Sequence, residues 1–249
     1  MDIKMGDIDN WEEKYESCNY SERLVNKLSE LNQQVTIPVN IYEIRKGIYY
    51  AKKYHGSQMR QSGDPYYSHP IEVAYMVAEY TALNMPKYFR TDMIITSLLH
   101  DTIEDTTLTE EMITRLFDKL IANQVVDLTR VKSYGKISAA ETLNILFQQK
   151  KYDVLLIKLF DRLHNMQTIG AKSPEKARKI INETLNNFTV LSEYLRMPNI
   201  SKEIQTICLN VMTQFEVPHS YIKFTFSFND NYQPLSLIYQ NKKCLRHNL

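Results

Sequence analysis

The chain of 249 residues contains little glycine, only six residues, and it lacks the glycine-rich motifs that bind phosphate. Neither G-x-x-x-x-G-K nor G-x-G-x-x-G occurs, which argues against the nucleotide-binding classes built on those loops. The formal net charge is +1 at pH 7, so the field of the whole molecule does not favour nucleic acid or an anionic membrane as a partner. Any anionic ligand must be held by a local cluster of residues.

Cysteine is also scarce, and the three residues of this type, Cys18, Cys208 and Cys244, are far apart. They form no C-x-x-C pair, which excludes a zinc ribbon and a disulfide framework. The N-terminal sequence MDIKMGDIDN is acidic and has no apolar segment of the kind found in signal peptides. Apolar runs such as 154–157 are too short to span a bilayer. We therefore expect a protein of the reducing cytoplasm with no membrane partner.

Apolar residues recur at the three- and four-residue spacing that is typical of amphipathic helices. The predicted helices are 21–35 with Ser21 as N-cap, 40–55, 69–83, 91–101, a helix from Thr107 through 111–121, 137–149, 152–168, 174–196 and 200–215. No strand is predicted before residue 220. The alternating segment YIKFTFSF, 221–228, predicts a short C-terminal β-hairpin. The pattern indicates an all-α helical bundle with a short tail.

Four ionisable residues follow the apolar run in SLLHDTIEDTTLT, the sequence of residues 97–109. If 91–105 forms one helix, His100 and Glu104 share one face, and Asp101 and Asp105 share another. Three carboxylates at a helix C-terminus oppose the helix dipole, so a cation is the missing partner. This segment alone leaves two interpretations open, a solvated helix end and a metal or catalytic site.

Two further segments favour the metal site. His69 precedes Pro70 at a predicted helix start, where a surface or capping role is the alternative. Asp161 interrupts an apolar helix and would be costly to bury there unless it were paired or bound to metal. A salt bridge to Arg162 or to a distant lysine is the alternative for Asp161. Two imidazoles and two carboxylates can together ligate a divalent first-row metal. The predicted ligands are His69, His100, Asp101 and Asp161.

The order His…His-Asp…Asp is similar to that of the HD phosphohydrolase superfamily. More narrowly, the segments AKKYHGSQMRQSGDPYYSHPIEVA, LLHDTIEDT and IKLFDRLHNMQTI resemble the hydrolase domain of RelA/SpoT homologues, which degrade the alarmones ppGpp and pppGpp. The resemblance covers about 40–217 and implies the HD-type helical bundle. It suggests an N-terminal helical extension at 1–38, a hydrolase domain at 39–217 and a tail at 218–249, with no synthetase domain. The oligomeric state stays open.

The resemblance implies a role for each matching residue. The four predicted ligands would hold one metal ion, usually Mn²⁺ in this family, and Glu104 and Asp105 would position or deprotonate the attacking water. Arg60 would lie over the guanine base, while Asn165 and Thr168 would contact the nucleoside. Lys176 and Arg178 are candidate contacts to the diphosphate. The implied reaction removes the 3′-pyrophosphate from (p)ppGpp and gives GDP or GTP.

Two residues depart from the family pattern. Gln61 and Gln167 stand where the family commonly has lysine and arginine, so two positive charges near the expected polyphosphate are missing. This change leaves room for hydrolysis of another nucleotide, such as NADPH. A non-catalytic regulatory module that binds the nucleotide is a further alternative. The intact pair Glu104 and Asp105 argues against that alternative, because a pure binder needs no water-activating carboxylates.

Overall fold

Helices form nearly all the regular structure in the computed structural model, which describes residues 10–132 and 135–214. The predicted all-α helical bundle is confirmed. Within the described part of the chain, no helix is both long and apolar enough to cross a bilayer. The C-terminal hairpin predicted at 221–228 lies outside the described residues.

Two compact units divide the chain, Met1–Ala177 and Arg178–Leu249. The helices that lie wholly in the first unit are α1 (Asn19–Asn32), α2 (Ile41–His55), α3 (Ser68–Asn84), α4 (Thr91–Leu99), α5 (Thr102–Asp105), α6 (Glu110–Leu116), α7 (Lys119–Leu128), α8 (Ala139–Gln148) and α9 (Tyr152–Gln167). Short 3₁₀ turns lie at Pro86–Tyr88 and Ile169–Ala171. Helix α10 (Pro174–Glu183) begins in the first unit and continues into the second.

One small hairpin contradicts the expectation that no strand precedes residue 220. Strands β1 (Val131–Lys132) and β2 (Gly135–Lys136) pair antiparallel, with Val131 opposite Lys136. Each strand has only two residues, which is too short for an alternating pattern to be recognised in the sequence. The hairpin matters for the site because Lys136 reaches it.

Capping residues explain where several helices begin, and they correct two predicted starts. The helix predicted from Thr107 begins at Glu110, where the hydroxyl of Thr109 accepts a hydrogen bond from the Met112 N–H. Asp118 then caps a separate helix, α7, so the predicted single helix is two. Helix α1 follows Cys18 rather than Ser21 as N-cap. The backbone N–H of Cys18 donates to the Ser21 hydroxyl in the reverse half of a capping box.

The helix predicted over 91–101 ends earlier, and this break forms the site. Helix α4 ends at Leu99, His100 is its C-cap, and Asp101 begins the separate short helix α5. His100 and Glu104 therefore do not share one continuous helical face, as the sequence suggested. The break turns the chain between the two helices and places His100 and Asp101 at the junction.

Helix α3 lies at the centre of the first unit, in contact with α1, α4 and α9. Helix α2 packs on α4 and also touches α5. At the α2–α4 crossing, a Cβ on Gly47 would come within 3.1 Å of the Leu98 side chain, so glycine allows the close approach. This packing brings the end of α2, the start of α3, the α4–α5 junction and α9 together.

The second unit contains the rest of α10, a π-helical turn at Thr184–Phe188, α11 (Thr189–Tyr194) and α12 (Pro198–Gln214). The single helix predicted over 174–196 is thus interrupted by a wider π turn. Leu191 of α11 and Ile204 of α12 are fully buried where these two helices pack.

Candidate metal centre

Two histidines and an aspartate meet where three helices begin or end. His69 is the second residue of α3, His100 caps the end of α4, and Asp101 precedes α5. Each offers one ligand atom, and these atoms lie within 4.8 Å of one another. Both imidazoles are 3% exposed. A buried cluster of two imidazoles and a carboxylate can hold a divalent metal ion.

The ring of His100 is oriented by the backbone. Its Nδ1–H donates to the carbonyl oxygen of Ser97 at 2.8 Å, which leaves Nε2 facing the cluster. A carbonyl at one ring nitrogen fixes the tautomer that presents the other nitrogen to a metal. Burial by itself would lower the pKa of His100, but the carboxylates of Asp101 and Asp161 raise it.

Asp161 of α9 lies beside both imidazoles. Its Oδ1 is 3.2 Å from Nε2 of His69 and 3.7 Å from Nε2 of His100. Lys158, one helical turn earlier, lies 3.4 Å from Oδ2, so a lysine of the same helix, and not the distant lysine considered from the sequence, accompanies the imidazoles. Burial would raise the pKa of Asp161, but Lys158 and the two imidazoles lower it far below its usual value. The carboxylate is therefore ionised and faces the cluster.

His69 has a second histidine as its partner. Nδ1 of His69 lies 2.8 Å from Nδ1 of His164, a residue of α9. Burial, and then the neighbouring His69 and Arg60, lower the pKa of His164 to about 3. A neutral His164 can accept a hydrogen bond from the Nδ1–H of His69. That bond leaves Nε2 of His69 free to face Asp161 and the cluster.

One oxygen of Asp101 supports the fit of a metal ion. Oδ1 accepts a hydrogen bond from Nε2 of His55 at 3.2 Å. Oδ2 is buried and has no hydrogen-bond partner among the described residues, and it lies 3.8 Å from Nε2 of His100. A buried carboxylate oxygen without a donor is costly unless a cation completes it. The residues present therefore fit a divalent ion.

Glu104 points its carboxylate at the small hairpin. Lys136 Nζ lies 2.6 Å from Oε1, and the backbone N–H of Arg130 donates to Oε2 at 3.1 Å. The Arg130 guanidinium lies 3.6 Å from Oε1. Burial would raise the pKa of Glu104, but these donors and charges lower it. Glu104 is thus held in its ionised form one helical turn after Asp101.

Asp105 is held by Tyr66, a residue of the segment before α3. The Tyr66 hydroxyl donates to Oδ2 of Asp105 at 2.7 Å. Burial, assisted by the negative charges of Asp101 and Asp105, raises the pKa of Tyr66 well above its usual value, so the phenol keeps its proton. Tyr66 therefore acts as a permanent donor to this carboxylate.

Three of the predicted substrate contacts meet at one place. Arg60 donates through Nη2 to Oδ1 of Asn165 at 3.2 Å and to the hydroxyl of Thr168 at 3.0 Å. Asn165 in turn donates from Nδ2 to Oδ1 of Asp161 at 2.6 Å. The predicted base contact and nucleoside contacts are thus connected to the metal cluster through one amide.

The two predicted diphosphate contacts are exposed residues of α10. Lys176 is exposed in the first turn of α10. Burial and the charge of Arg60 lower the pKa of Lys172, and the charge of Lys176 adds to this effect. Arg178 is exposed and belongs to the second unit, so the geometry of the metal cluster does not include it.

Comparison with known proteins decides the family. The family model described as "HD domain" matches residues 47–196, which is more than half of the chain. The chain belongs to the HD domain family. The resemblance to RelA/SpoT homologues is confirmed by curated relatives at 32–37% identity.

Three relatives illustrate the match of the HD domain. GTP pyrophosphokinase rsh of Brucella ovis is 37% identical over 187 residues, which cover 73% of this chain and 24% of the relative. The guanosine-3′,5′-bis(diphosphate) 3′-pyrophosphohydrolase of Spiroplasma citri is 32% identical, covering 74% and 25%. The bifunctional (p)ppGpp synthase/hydrolase SpoT of Escherichia coli is 33% identical, covering 74% and 26%. The chain thus spans about a quarter of the length of these relatives.

Sequence inspection missed four residues whose hydrogen bonds hold the predicted site residues. They are His55, Gln58, Tyr66 and His164. All four lie inside two of the three segments that carry the family resemblance, 51–74 and 157–169. His55 is the last residue of α2 and His164 lies in α9, and spacing alone could not show which site residue each histidine touches.

Proposed function

We propose that this chain is a metal-dependent phosphohydrolase that removes the 3′-pyrophosphate from ppGpp and pppGpp. The products would be GDP or GTP and pyrophosphate. The observation that carries the proposal is the buried Oδ2 of Asp101, which has no donor among the described residues and lies beside the imidazole of His100. The names of two relatives, a 3′-pyrophosphohydrolase and a (p)ppGpp synthase/hydrolase, support the substrate.

The metal would be held by His69, His100, Asp101 and Asp161, and Mn²⁺ is the ion we propose. Imidazole nitrogen and carboxylate oxygen together suit a first-row divalent ion. When bound, such an ion supplies Lewis acidity that lowers the pKa of water and neutralises charge on a phosphoryl oxygen.

Glu104 and Asp105 would act on the attacking water. Both follow Asp101 by about one helical turn, and Glu104 is held ionised by Lys136, so a carboxylate is available to accept a proton. The water oxygen forms a bond to the phosphorus that is attached to the ribose 3′ oxygen. The bond between that phosphorus and the 3′ oxygen breaks, and the 3′ oxygen leaves as a hydroxyl after it takes up the proton that the carboxylate accepted from the water.

Substrate binding would use the cluster around Arg60. The guanidinium would lie over the guanine base, and Asn165 and Thr168, which already accept its hydrogen bonds, would contact the nucleoside. Lys176 and Arg178 would contact the diphosphate. We propose a hydrolase domain over 39–217, a range that contains the family match, with 1–38 as an N-terminal extension.

Pyrophosphate release from ppGpp tests the reaction. The purified full chain is assayed with Mn²⁺, with Mg²⁺ and with a chelator, and the Glu104→Gln variant is assayed in parallel. We expect Mn²⁺-dependent release in the parent and a loss of about 10²–10⁴-fold in Glu104→Gln, the usual range for a general base. A parent that binds Mn²⁺ but leaves ppGpp intact would show the reaction assignment to be wrong.

A second candidate is hydrolysis of another phosphorylated nucleotide, such as NADPH. Gln61 is exposed next to Arg60, where the family commonly places a cation, so the charge available to a polyphosphate is reduced there. A panel containing ppGpp, pppGpp and NADPH at equal concentration decides between them through kcat/KM. A clear preference for NADPH would replace the alarmone as the substrate.

A further inference from the structure

The amide of Gln58 has only one orientation that satisfies its neighbours. Its Nε2 lies 3.0 Å from the backbone carbonyl oxygen of Asp105, and only an N–H can donate to that oxygen. Its Oε1 must therefore face the other neighbour, Nδ1 of His55, at 3.0 Å. Since Oε1 can only accept, Nδ1 of His55 carries a hydrogen and donates it.

The other nitrogen of the His55 ring holds Asp101. Nε2 lies 3.2 Å from Oδ1, and the side chain of His55 is fully buried. With Oδ1 held in this way, the rotation of the carboxylate is fixed, and Oδ2 is the oxygen left without a partner among the described residues. His55 therefore sets the orientation of the Asp101 carboxylate relative to the imidazole of His100.

A third contact fixes the plane of the His55 ring. Tyr66 stacks on it, with ring centroids 4.7 Å apart and an interplanar angle of 25°. The hydroxyl of the same tyrosine holds the Asp105 carboxylate, while Gln58 holds the Asp105 carbonyl. His55 is thus joined to a predicted metal ligand on one side and, through two residues, to a predicted catalytic carboxylate on the other.

We infer that His55 and Gln58 are positioning residues, which aim Oδ2 of Asp101 at the metal ion and set the place of Asp105 relative to it. This inference rests on the proposed metal-dependent function. Neither residue touches the substrate in this role. Hydrogen-bond partners of metal ligands contribute about 10–100-fold to metal affinity, so the role is measurable.

Two substitutions of His55 distinguish the roles of its two ring nitrogens. A glutamine side chain can place an N–H near the position of Nε2, whereas the shorter asparagine reaches only the position of Nδ1. His55→Gln can therefore still donate to Asp101, and His55→Asn cannot. The full chain and both variants are titrated with Mn²⁺ by calorimetry, and their melting temperatures are measured without metal.

We expect His55→Asn to bind Mn²⁺ about 10–100-fold more weakly than the parent and His55→Gln to stay within about threefold. Without metal, His55→Asn should melt at least about 2–4 °C below His55→Gln, because the buried Asp101 loses its donor. Equal Mn²⁺ affinity in parent and His55→Asn overturns the inference. Equal weakening in both variants also overturns it, since ring packing and not the Nε2 donor would then matter.

Gln58→Met tests the second half of the inference, since methionine has a similar length and no amide. We expect kcat for ppGpp to fall about tenfold with KM unchanged, while Mn²⁺ affinity changes less than in His55→Asn. Unchanged kcat removes Gln58 from the positioning role. If the calorimetric pattern holds while the parent leaves ppGpp intact, the positioning of Asp101 stands and the proposed reaction fails.

Discussion

The ammonium of Lys136 lies 2.6 Å from the carboxylate of Glu104, so a hairpin residue restrains a proposed catalytic group. Lys136 is the last residue of β2, and Glu104 lies in α5. The pairing makes the two-residue strands of this hairpin relevant to the chemistry. It also means that the charge state of Glu104 depends on a part of the chain outside the metal cluster.

Replacing Lys136 by methionine should raise the pKa of Glu104. Burial favours the protonated acid, and the variant removes the hydrogen-bond donor that lowers this pKa most. In the parent, the lowered pKa of Glu104 stabilises the fold at pH values above the ordinary pKa of a glutamate. This stabilisation is lost as the pH falls through the lowered value. The measurement is a side-chain ¹³C NMR titration, with the Glu104 signal assigned by Glu104→Gln.

The exposed residue Lys119, at the start of α7, gives the control variant Lys119→Met, which should leave the Glu104 titration unchanged. Because the side chain of Lys136 is 56% exposed, its loss should cost less than about 1 kcal/mol of stability. A Glu104 titration that is identical in parent and Lys136→Met would contradict the assigned pairing.

Tyr66→Phe removes the donor to Asp105 and keeps the ring that stacks on His55. The freed carboxylate can take other rotamers, so we expect kcat for ppGpp to fall about tenfold, equivalent to about 1.4 kcal/mol in the barrier. Tyr42→Phe is the matched control, because the Tyr42 hydroxyl bonds Glu12 near the opposite end of α2. Equal kcat in both variants would show that Asp105 needs no donor from Tyr66.

Arg60→Lys should raise KM more than it lowers kcat. A guanidinium can donate to Asn165 and Thr168 from one nitrogen and still present its plane to a base, whereas an ammonium cannot. We expect KM for ppGpp to rise about tenfold, from the loss of one charge-assisted contact. Arg45→Lys, at an exposed position of α2, is the control. A change confined to kcat would place Arg60 in the chemistry and not in binding.

Addition of Mn²⁺ should stabilise the fold, and a chelator should reverse the effect. At an Mn²⁺ concentration 100 times the dissociation constant, the free energy of unfolding increases by about 2.7 kcal/mol, which corresponds to a rise in Tm of roughly 5–10 °C. Asp101→Asn should lose most of this shift. Asp127→Asn is the control, because Asp127 pairs with Lys151 at 2.7 Å and lies outside the cluster. An equal shift in parent and Asp101→Asn would place the ion elsewhere.

Helix periodicity predicted most of the fold, but the ends of several helices were wrong. The segments that became α2, α3 and α9 matched their predicted ranges closely, since each carries a continuous apolar stripe. The predicted helix 91–101 stops at Leu99, and the predicted helix 174–196 contains a π turn. Local pattern does not reveal such interruptions, because tertiary packing decides where a helix ends.

The candidate site, like the fold, was predicted from the sequence only in part. The sequence suggested His69, His100, Asp101 and Asp161 as a set, and the structure brings their side chains together. Their roles, and those of Glu104 and Asp105, stay predictions. Arg60, Asn165 and Thr168 also meet, whereas Arg178 lies in the second unit.

The sequence by itself determined the helical class, the family and the residue types that can bind a metal, because these depend on local spacing and on short motifs. Only the tertiary structure decided how those residues are held. His55 and Asp101 are 46 positions apart, and His69 and His164 are 95 positions apart. Hydrogen bonds across such separations form only after the helices pack, and they fix which nitrogen or oxygen of each ligand faces the metal.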